Sequence, residues 1–169
     1  MKGREVQLID YLLLPGHIYL TQEATRLSTV LGSCVAVTLW DSKKEYGGMA
    51  HFLYPFIGDR KKATAEYGNV AVKYLVETFL DNGSKEKALR AQIFGGAFSS
   101  SVDGVKVARE NVNTARKILR TYRIKIISED IAGNMGRKIV YNTHSNEAIV
   151  YKVNKLRSGD WYPYVNEGR

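Results

Sequence analysis

The sequence predicts an α+β domain in which two mixed β-sheets pack face to face, with a helix on each sheet. Eight short segments are rich in β-branched and aromatic residues, turn residues separate them, and only two segments repeat apolar residues with a helical period. Strands that do not alternate regularly with helices are typical of α+β rather than α/β folds. A single large sheet that carries both helices is the alternative.

The predicted strands follow one another between turns that contain Gly, Pro, Asn or Asp. They span residues 6–14, 17–21, 34–40, 49–54, 88–94, 123–128, 138–142 and 148–153. One helix is predicted from about Asn69 to Asp81, with Gly83 placed to end it, and the other from about Val107 to Tyr122. Each helix has one apolar stripe, so each should lie on a sheet face with its other side in water.

Length and composition indicate an ordinary globular domain. The 169 residues suffice for a single domain over residues 1–169, of which 154–169 are expected to form a C-terminal tail. Hydrophobic residues at 44% and charged residues at 25% exclude wholesale disorder. No apolar run approaches the ~20 residues that span a bilayer, and no signal-peptide core follows Met1. Because a single cysteine cannot form an internal disulfide, we expect a cytoplasmic protein that is not embedded in a membrane.

Cys34 and His51 are the candidate nucleophile and base. Cys34 follows Gly32 and Ser33 at the start of a predicted strand, where backbone N–H groups not yet committed to a sheet can stabilise an oxyanion. If the next turn centres between residues 42 and 43, Cys34 and His51 oppose each other on one face. If the centre of the turn is displaced by one residue, the two side chains stay on the same face but become diagonal neighbours. If it is displaced by half a residue, they lie on opposite faces of the sheet. An imidazole beside a thiol favours the thiolate.

Four motifs occur in order along the chain. Leu31–Val37 reads Leu-Gly-Ser-Cys-Val-Ala-Val, and Gly47–His51 places a histidine 17 residues beyond the cysteine in a Gly-Gly-Met-Ala-His context. Phe94–Ala97 contains a Gly-Gly-Ala turn, and Ser128–Arg137 contains Glu-Asp followed by Gly-Asn-Met-Gly-Arg. In these motifs the chain resembles the CheD family of bacterial and archaeal chemotaxis, whose nucleophile pattern is Thr-x-Leu-Gly-Ser-Cys-Val-Ala-Val. The resemblance extends over roughly residues 15–153.

The resemblance implies a protein-glutamine deamidase with a Cys-His-Thr triad. Cys34 would be the nucleophile and His51 the base that holds the thiolate as an ion pair. The family threonine lies six residues before the cysteine, where this chain has Ser28; serine keeps the hydroxyl that orients the imidazole. Thr29, one residue later, would point to the other face of a strand. The backbone near Gly32 and Ser33 would stabilise the oxyanion.

The implied substrates are glutamines on the cytoplasmic helical bundles of methyl-accepting chemotaxis receptors, hydrolysed to glutamate through a cysteine thioester with release of ammonia. CheC phosphatase is an implied partner, and neither a metal nor another cofactor is required. Receptor methylation regions are rich in Glu, which suits a net charge of +8. Two alternatives stay open: a CheD-like module without catalysis that docks on receptors or CheC, and a basic nucleic-acid-binding domain. For the second alternative, the sequence shows no recognition helix, zinc-ligand spacing or aromatic RNA-binding signature.

Overall fold

The computed structural model describes residues 5–98 and 101–154, which form nine β-strands and two α-helices. In chain order they are β1 (Ile9–Leu12), β2 (His17–Thr21), β3 (Thr25–Leu31), β4 (Val35–Asp41), β5 (Tyr46–Phe52), α1 (Gly68–Asp81), β6 (Leu89–Gly95), α2 (Val102–Thr121), β7 (Lys125–Ile131), β8 (Gly136–Asn142) and β9 (Ala148–Val153). The tail predicted at 154–169 lies outside the described residues except for Asn154. Of the helices described, none has the length and apolar character needed to cross a membrane.

The strands form two mixed sheets, which confirms the predicted α+β class. One sheet has the strand order β1-β3-β8-β9 and the other the order β2-β5-β4-β6-β7. Neighbouring strands are antiparallel except in the pairs β1–β3 and β6–β7. Leu27 and Ile139 of the four-stranded sheet share a buried cluster with Met49 of the five-stranded sheet, so the two sheets stack face to face.

Both helices pack on the five-stranded sheet, whereas the sequence predicts one on each sheet. Helix α1 contacts β2, β4 and β5, helix α2 contacts β4, β6 and β7, and the helices contact each other. Val72 of α1 and Leu119 of α2 belong to one core with Val37 of β4. Five strands about 4.8 Å apart make a face wide enough for two helices, whose axes pack about 8–10 Å apart. One sheet face therefore buries both apolar stripes.

The helix boundaries agree with the prediction where the apolar period is strong. Helix α1 begins one residue before Asn69, and Gly83 follows it with a φ of +85°, a left-handed conformation that glycine adopts without strain. Helix α2 begins at Val102, five residues before the predicted start. Its first turn is stabilised by the Ser101 side chain, which accepts a hydrogen bond from the N–H of Gly104 (3.0 Å).

Strand β3 is absent from the prediction, yet it lies inside the four-stranded sheet between β1 and β8. Its polar residues, Arg26, Ser28 and Thr29, interrupt the apolar pattern by which strands are recognised. In the β3–β8 ladder Ser28 pairs with Val140 and Thr29 pairs with Ile139. The strand thus carries a row of hydroxyl groups into the middle of the molecule.

Gly95 allows a close approach between the end of β6 and the residue before β4. It has a φ of +106°, and a Cβ atom there would overlap the carbonyl oxygen of Cys34. Gly133 also has a positive φ, +70°, but apart from its chain neighbours no atom of the described residues lies within 4 Å of the place where its Cβ would stand. The two glycines therefore share backbone strain but not steric crowding.

We expect Gly95→Ala to lower the free energy of unfolding by about 2–4 kcal/mol, because strain and overlap add at that position. Gly133→Ala, the matched control, should cost about 1 kcal/mol from backbone strain alone. Urea unfolding of both variants measures the difference. Equal losses would contradict the close packing of the Cys34 carbonyl against β6.

Candidate active site

Cys34 lies in a short loop between β3 and β4, after Gly32 and Ser33. The carbonyl of Gly32 accepts a hydrogen bond from the N–H of Ala97 (3.0 Å), and the carbonyl of Cys34 accepts one from the N–H of Gly96 (2.8 Å). The Cys34 side chain is half-buried and packs against the apolar cluster between the sheets. The nucleophile therefore stands at the edge of the inter-sheet layer, on a backbone held in place by the residues after β6.

His51 is fully buried on β5. In the β4–β5 ladder it pairs with Ala36, two residues past Cys34, and Cys34 packs against the cluster that contains Ala36, so the thiol lies on the face of the imidazole, at a position diagonal to it. Diagonal positions on antiparallel strands are about 7–8 Å apart, a distance that an aromatic side chain can bridge. The shared face agrees with the prediction, but the direct opposition of Cys34 and His51 does not occur.

The turn Ser42–Glu45 sets this register. Asp41 and Tyr46 form the last pair of the ladder, which leaves four residues in the turn. The Asp41 carboxylate accepts a hydrogen bond from the N–H of Lys43 (2.8 Å), and Glu45 closes the turn with a φ of +55°. The turn centre therefore lies one residue beyond the predicted position.

Thr29 holds the imidazole from the opposite sheet. Its Oγ1 atom is 2.7 Å from Nδ1 of His51 and 2.7 Å from the carbonyl oxygen of Leu13. A hydroxyl has one hydrogen, and the carbonyl can only accept it, so Thr29 must accept from an Nδ1–H group. His51 therefore carries a proton on Nδ1. Its Nε2 atom is buried and has no hydrogen-bond partner among the described residues, which leaves the basic nitrogen free.

Ser28 does not occupy the position beside the imidazole that the sequence assigns to it. Side chains alternate along a strand, and Leu27 and Leu31 of β3 both belong to the inter-sheet cluster. Thr29 shares their face, whereas Ser28 points to the opposite face. The hydroxyl on Nδ1 of His51 is therefore that of Thr29, one residue nearer to the cysteine.

Burial controls the protonation of both side chains. Desolvation lowers the pKa of His51 to about 4, and the charge of His17, which pairs with His51 in the β2–β5 ladder, adds to this effect. Desolvation also raises the pKa of the Cys34 thiol. At neutral pH the thiol is therefore protonated and the imidazole neutral, contrary to the ion pair that the sequence suggests. The thiol proton is therefore transferred to His51 only during the reaction.

Two backbone donors lie at the nucleophile. Within residues 5–98 and 101–154, the N–H groups of Ser33 and Cys34 donate no hydrogen bond to another residue. Unpaired N–H groups next to a nucleophile can stabilise the oxyanion of a tetrahedral intermediate. In the same described ranges, no three His, Cys, Asp or Glu side chains are grouped as a metal site.

Known proteins similar to this chain point to one family. The family model described as CheD chemotactic sensory transduction matches residues 56–152. A protein of Trichlorobacter lovleyi named probable chemoreceptor glutamine deamidase CheD is 39% identical over 142 residues, which cover 83% of this chain and 88% of that protein. The chain belongs to the CheD family.

Further CheD proteins show the same degree of similarity. The chemoreceptor glutamine deamidase CheD of Thermotoga maritima is 37% identical over 123 residues, which cover 73% of this chain and 78% of that protein. A probable CheD of Sulfurimonas denitrificans is 38% identical over 132 residues, with coverage of 76% and 85%. The range matched by the CheD family model begins after Cys34 and His51, so the roles of these two residues are inferred from their geometry.

The sequence also contains a signal for Thr29. Thr29–Cys34 fits the CheD pattern Thr-x-Leu-Gly-Ser-Cys from its first residue, which places the threonine five residues before the cysteine and not the six assigned from the resemblance. Thr29 is also two residues from both Leu27 and Leu31, the spacing of side chains on one strand face. Recognition of β3 as a strand would have placed the threonine, not the serine, in the inter-sheet layer.

We expect Thr29→Val to reduce the rate of any reaction that uses His51 as its base by about 10- to 100-fold. Valine keeps the shape of threonine but leaves Nδ1–H of the imidazole buried without an acceptor, a loss of about 1–3 kcal/mol. Ser28→Ala is the matched control, and its rate should stay within about threefold of the wild type. Steady-state kinetics of the two variants, with thermal unfolding to confirm folding, measures the contrast. A larger loss in Ser28→Ala than in Thr29→Val would contradict the assignment.

Proposed function

We propose that this chain is a chemoreceptor glutamine deamidase, an amide hydrolase that converts receptor glutamine side chains to glutamate and releases ammonia. The observation that carries the proposal is the contact between Thr29 and His51. It leaves Nε2 of a neutral imidazole without a partner among residues 5–98 and 101–154, on the sheet face that Cys34 shares. A thiol beside a basic nitrogen that a third group orients is the arrangement of cysteine hydrolases. The names of the CheD relatives supply the substrate class.

In the first half-reaction the sulfur of Cys34 attacks the γ-carboxamide carbon while Nε2 of His51 takes the thiol proton. The amide oxygen becomes an oxyanion that accepts hydrogen bonds from the N–H groups of Ser33 and Cys34. One such donor contributes about 2.7–4 kcal/mol in other hydrolases. The imidazolium then protonates the amide nitrogen and the C–N bond breaks. Ammonia departs, and the acyl group stays bound to Cys34 as a thioester.

In the second half-reaction water hydrolyses the thioester. Neutral His51 removes a proton from the water as the water oxygen attacks the thioester carbon. The C–S bond breaks, the sulfur recovers its proton from the imidazolium, and the glutamate side chain is released. Nδ1 takes part in neither proton transfer, so Thr29 can hold the ring in one orientation throughout.

The charge of the chain supports a receptor as its substrate. Its net charge of +8 complements the Glu-rich methylation regions of chemoreceptors, and complementary charge accelerates association. These regions belong to the cytoplasmic helical bundles of methyl-accepting receptors, and the cytoplasm is accordingly the proposed site of action. CheC phosphatase is the second proposed partner, on the basis of the family resemblance.

The test is incubation of the purified chain with the cytoplasmic fragment of a methyl-accepting receptor. We expect defined glutamines to gain the mass of an amide-to-acid conversion, with one ammonia released for each. Cys34→Ala removes the sulfur that forms the thioester and should lower this rate at least about a thousandfold. Peptide mapping by mass spectrometry and a coupled ammonia assay follow the two products.

Binding of the receptor fragment with no change in mass and no ammonia would contradict the proposal and indicate a docking module. Deamidation that persists in Cys34→Ala would place the chemistry on other residues. Salt-sensitive binding of DNA or RNA that is indifferent to Cys34→Ala, without receptor deamidation, would instead indicate a nucleic-acid-binding domain.

A further inference from the structure

Asn111 is a fully buried amide on α2, the helix that packs over β4 and β6. It lies on the face of the helix that carries Ala108, Val112 and Ala115 into the core. Its Nδ2 group donates two hydrogen bonds, one to the carbonyl of Ser33 (3.1 Å) and one to the carbonyl of Leu53 (2.9 Å). A single side chain thus contacts the residue before the nucleophile and the chain just after β5.

We propose that Asn111 is a positioning residue that aims the N–H of Cys34 at the oxyanion, an inference that rests on the proposed deamidase function. In a trans peptide the C=O and N–H bonds point in opposite directions. The Ser33 carbonyl and the Cys34 N–H belong to one peptide group. Because Asn111 holds that carbonyl toward α2, the N–H is fixed on the side away from the helix.

The neighbouring peptide groups are held in the same way by backbone alone. The Gly32 carbonyl binds the N–H of Ala97, and the Cys34 carbonyl binds the N–H of Gly96. Three consecutive carbonyls of the loop therefore have partners, and only the middle one, that of Ser33, depends on a side chain. Substitution at Asn111 frees this one peptide group while the bonds on either side of it remain.

The second hydrogen bond couples the two halves of the site. Leu53 directly follows β5 and is two residues beyond His51. Because both protons of one Nδ2 group are in use, a displacement of the Ser33 carbonyl also disturbs the bond to Leu53. Asn111 thus fixes the peptide of the nucleophile relative to the strand that carries the base.

The remaining atom of the amide indicates that Asn111 serves as a donor. Its Oδ1 atom is buried and has no hydrogen-bond partner in the described part of the chain. A buried acceptor without a partner is unfavourable, so packing alone would favour an apolar residue at this position. The two donated bonds are what the asparagine provides and an apolar residue cannot.

Asn111→Asp and Asn111→Ala test the proposal, with Asn113→Asp on the exposed side of α2 as the matched control. Aspartate keeps the shape of asparagine but has no N–H to donate and at most one O–H, so it cannot make both hydrogen bonds. Alanine removes the amide without adding a charge, so one variant remains informative if the other fails to fold. We expect kcat for deamidation to fall about 10- to 100-fold with KM within about threefold, because the oxyanion forms only after substrate binds. Asn113→Asp should retain the folding and alkylation behaviour of the wild type.

Alkylation of Cys34 by iodoacetamide separates positioning from general disruption. This displacement occurs at a saturated carbon and forms no oxyanion, so its rate reports only the basicity and access of the thiol. In both Asn111 variants the rate should stay within about threefold of the wild type while kcat falls. A parallel fall in alkylation and kcat, or an unchanged kcat in a folded variant, would overturn the proposal.

Amide NMR spectra make the inference independent of activity. In Asn111→Ala we expect the Cys34 amide signal to broaden or split, since its peptide can then adopt more than one orientation, while the Ala97 amide signal remains single. An unaltered Cys34 signal would overturn the inference even if deamidation is observed. Absence of deamidation in the wild type would instead refute the proposed function and leave the spectra to decide the role of Asn111.

Discussion

The hydroxyl of Thr29 joins the two sheets at the point where chemistry is expected. It donates its hydrogen to the carbonyl of Leu13 and accepts one from His51, so the hydrogen-bonding capacity of a single oxygen decides that Nδ1 of the imidazole carries a proton. The strand that carries His51 is in one sheet and the strand that carries Thr29 is in the other. Thr29 can therefore hold the imidazole proton on Nδ1 only when the two sheets are packed together.

A second set of contacts places the nucleophile relative to that base. The loop before β4 is held by Gly96 and Ala97 after β6 and by Asn111 on α2. These residues are far from Cys34 in sequence, so no local segment can form the site without the complete fold. Different parts of the fold therefore orient the two reacting groups. The inter-sheet layer orients the imidazole, whereas the helix layer and the end of β6 orient the peptide groups beside the sulfur.

The fold could be predicted where the sequence pattern is periodic. Both helices and the α+β class follow from apolar spacing and turn residues, whereas the choice of two sheets over one large sheet needed the structure. Strand β3 could not be recognised in this way, because Arg26, Ser28 and Thr29 replace the apolar residues of an ordinary strand. The position of α2 on the same sheet as α1 also escapes sequence analysis, since an apolar stripe shows that a helix is buried but not which face buries it.

The site could be predicted in part. Cys34 and His51 share a face because side chains alternate in a hairpin, and they still do so although the turn centre lies one residue beyond the predicted position. The exact partner of each residue depends on the left-handed conformation of Glu45, which no local pattern indicates. The choice between Ser28 and Thr29 depends on which face of β3 meets the other sheet. The neutral state of the pair depends on burial, which only the packed structure supplies.

The tautomer and pKa of His51 in the resting protein test the account most directly. Imidazole ¹⁵N NMR of histidine-labelled protein distinguishes a protonated from an unprotonated ring nitrogen at each pH. We expect Nδ1 to be protonated and Nε2 unprotonated at neutral pH, with conversion to the imidazolium only as the pH falls toward a pKa of about 4. A proton on Nε2 in the neutral ring, or an imidazolium at neutral pH, would contradict it.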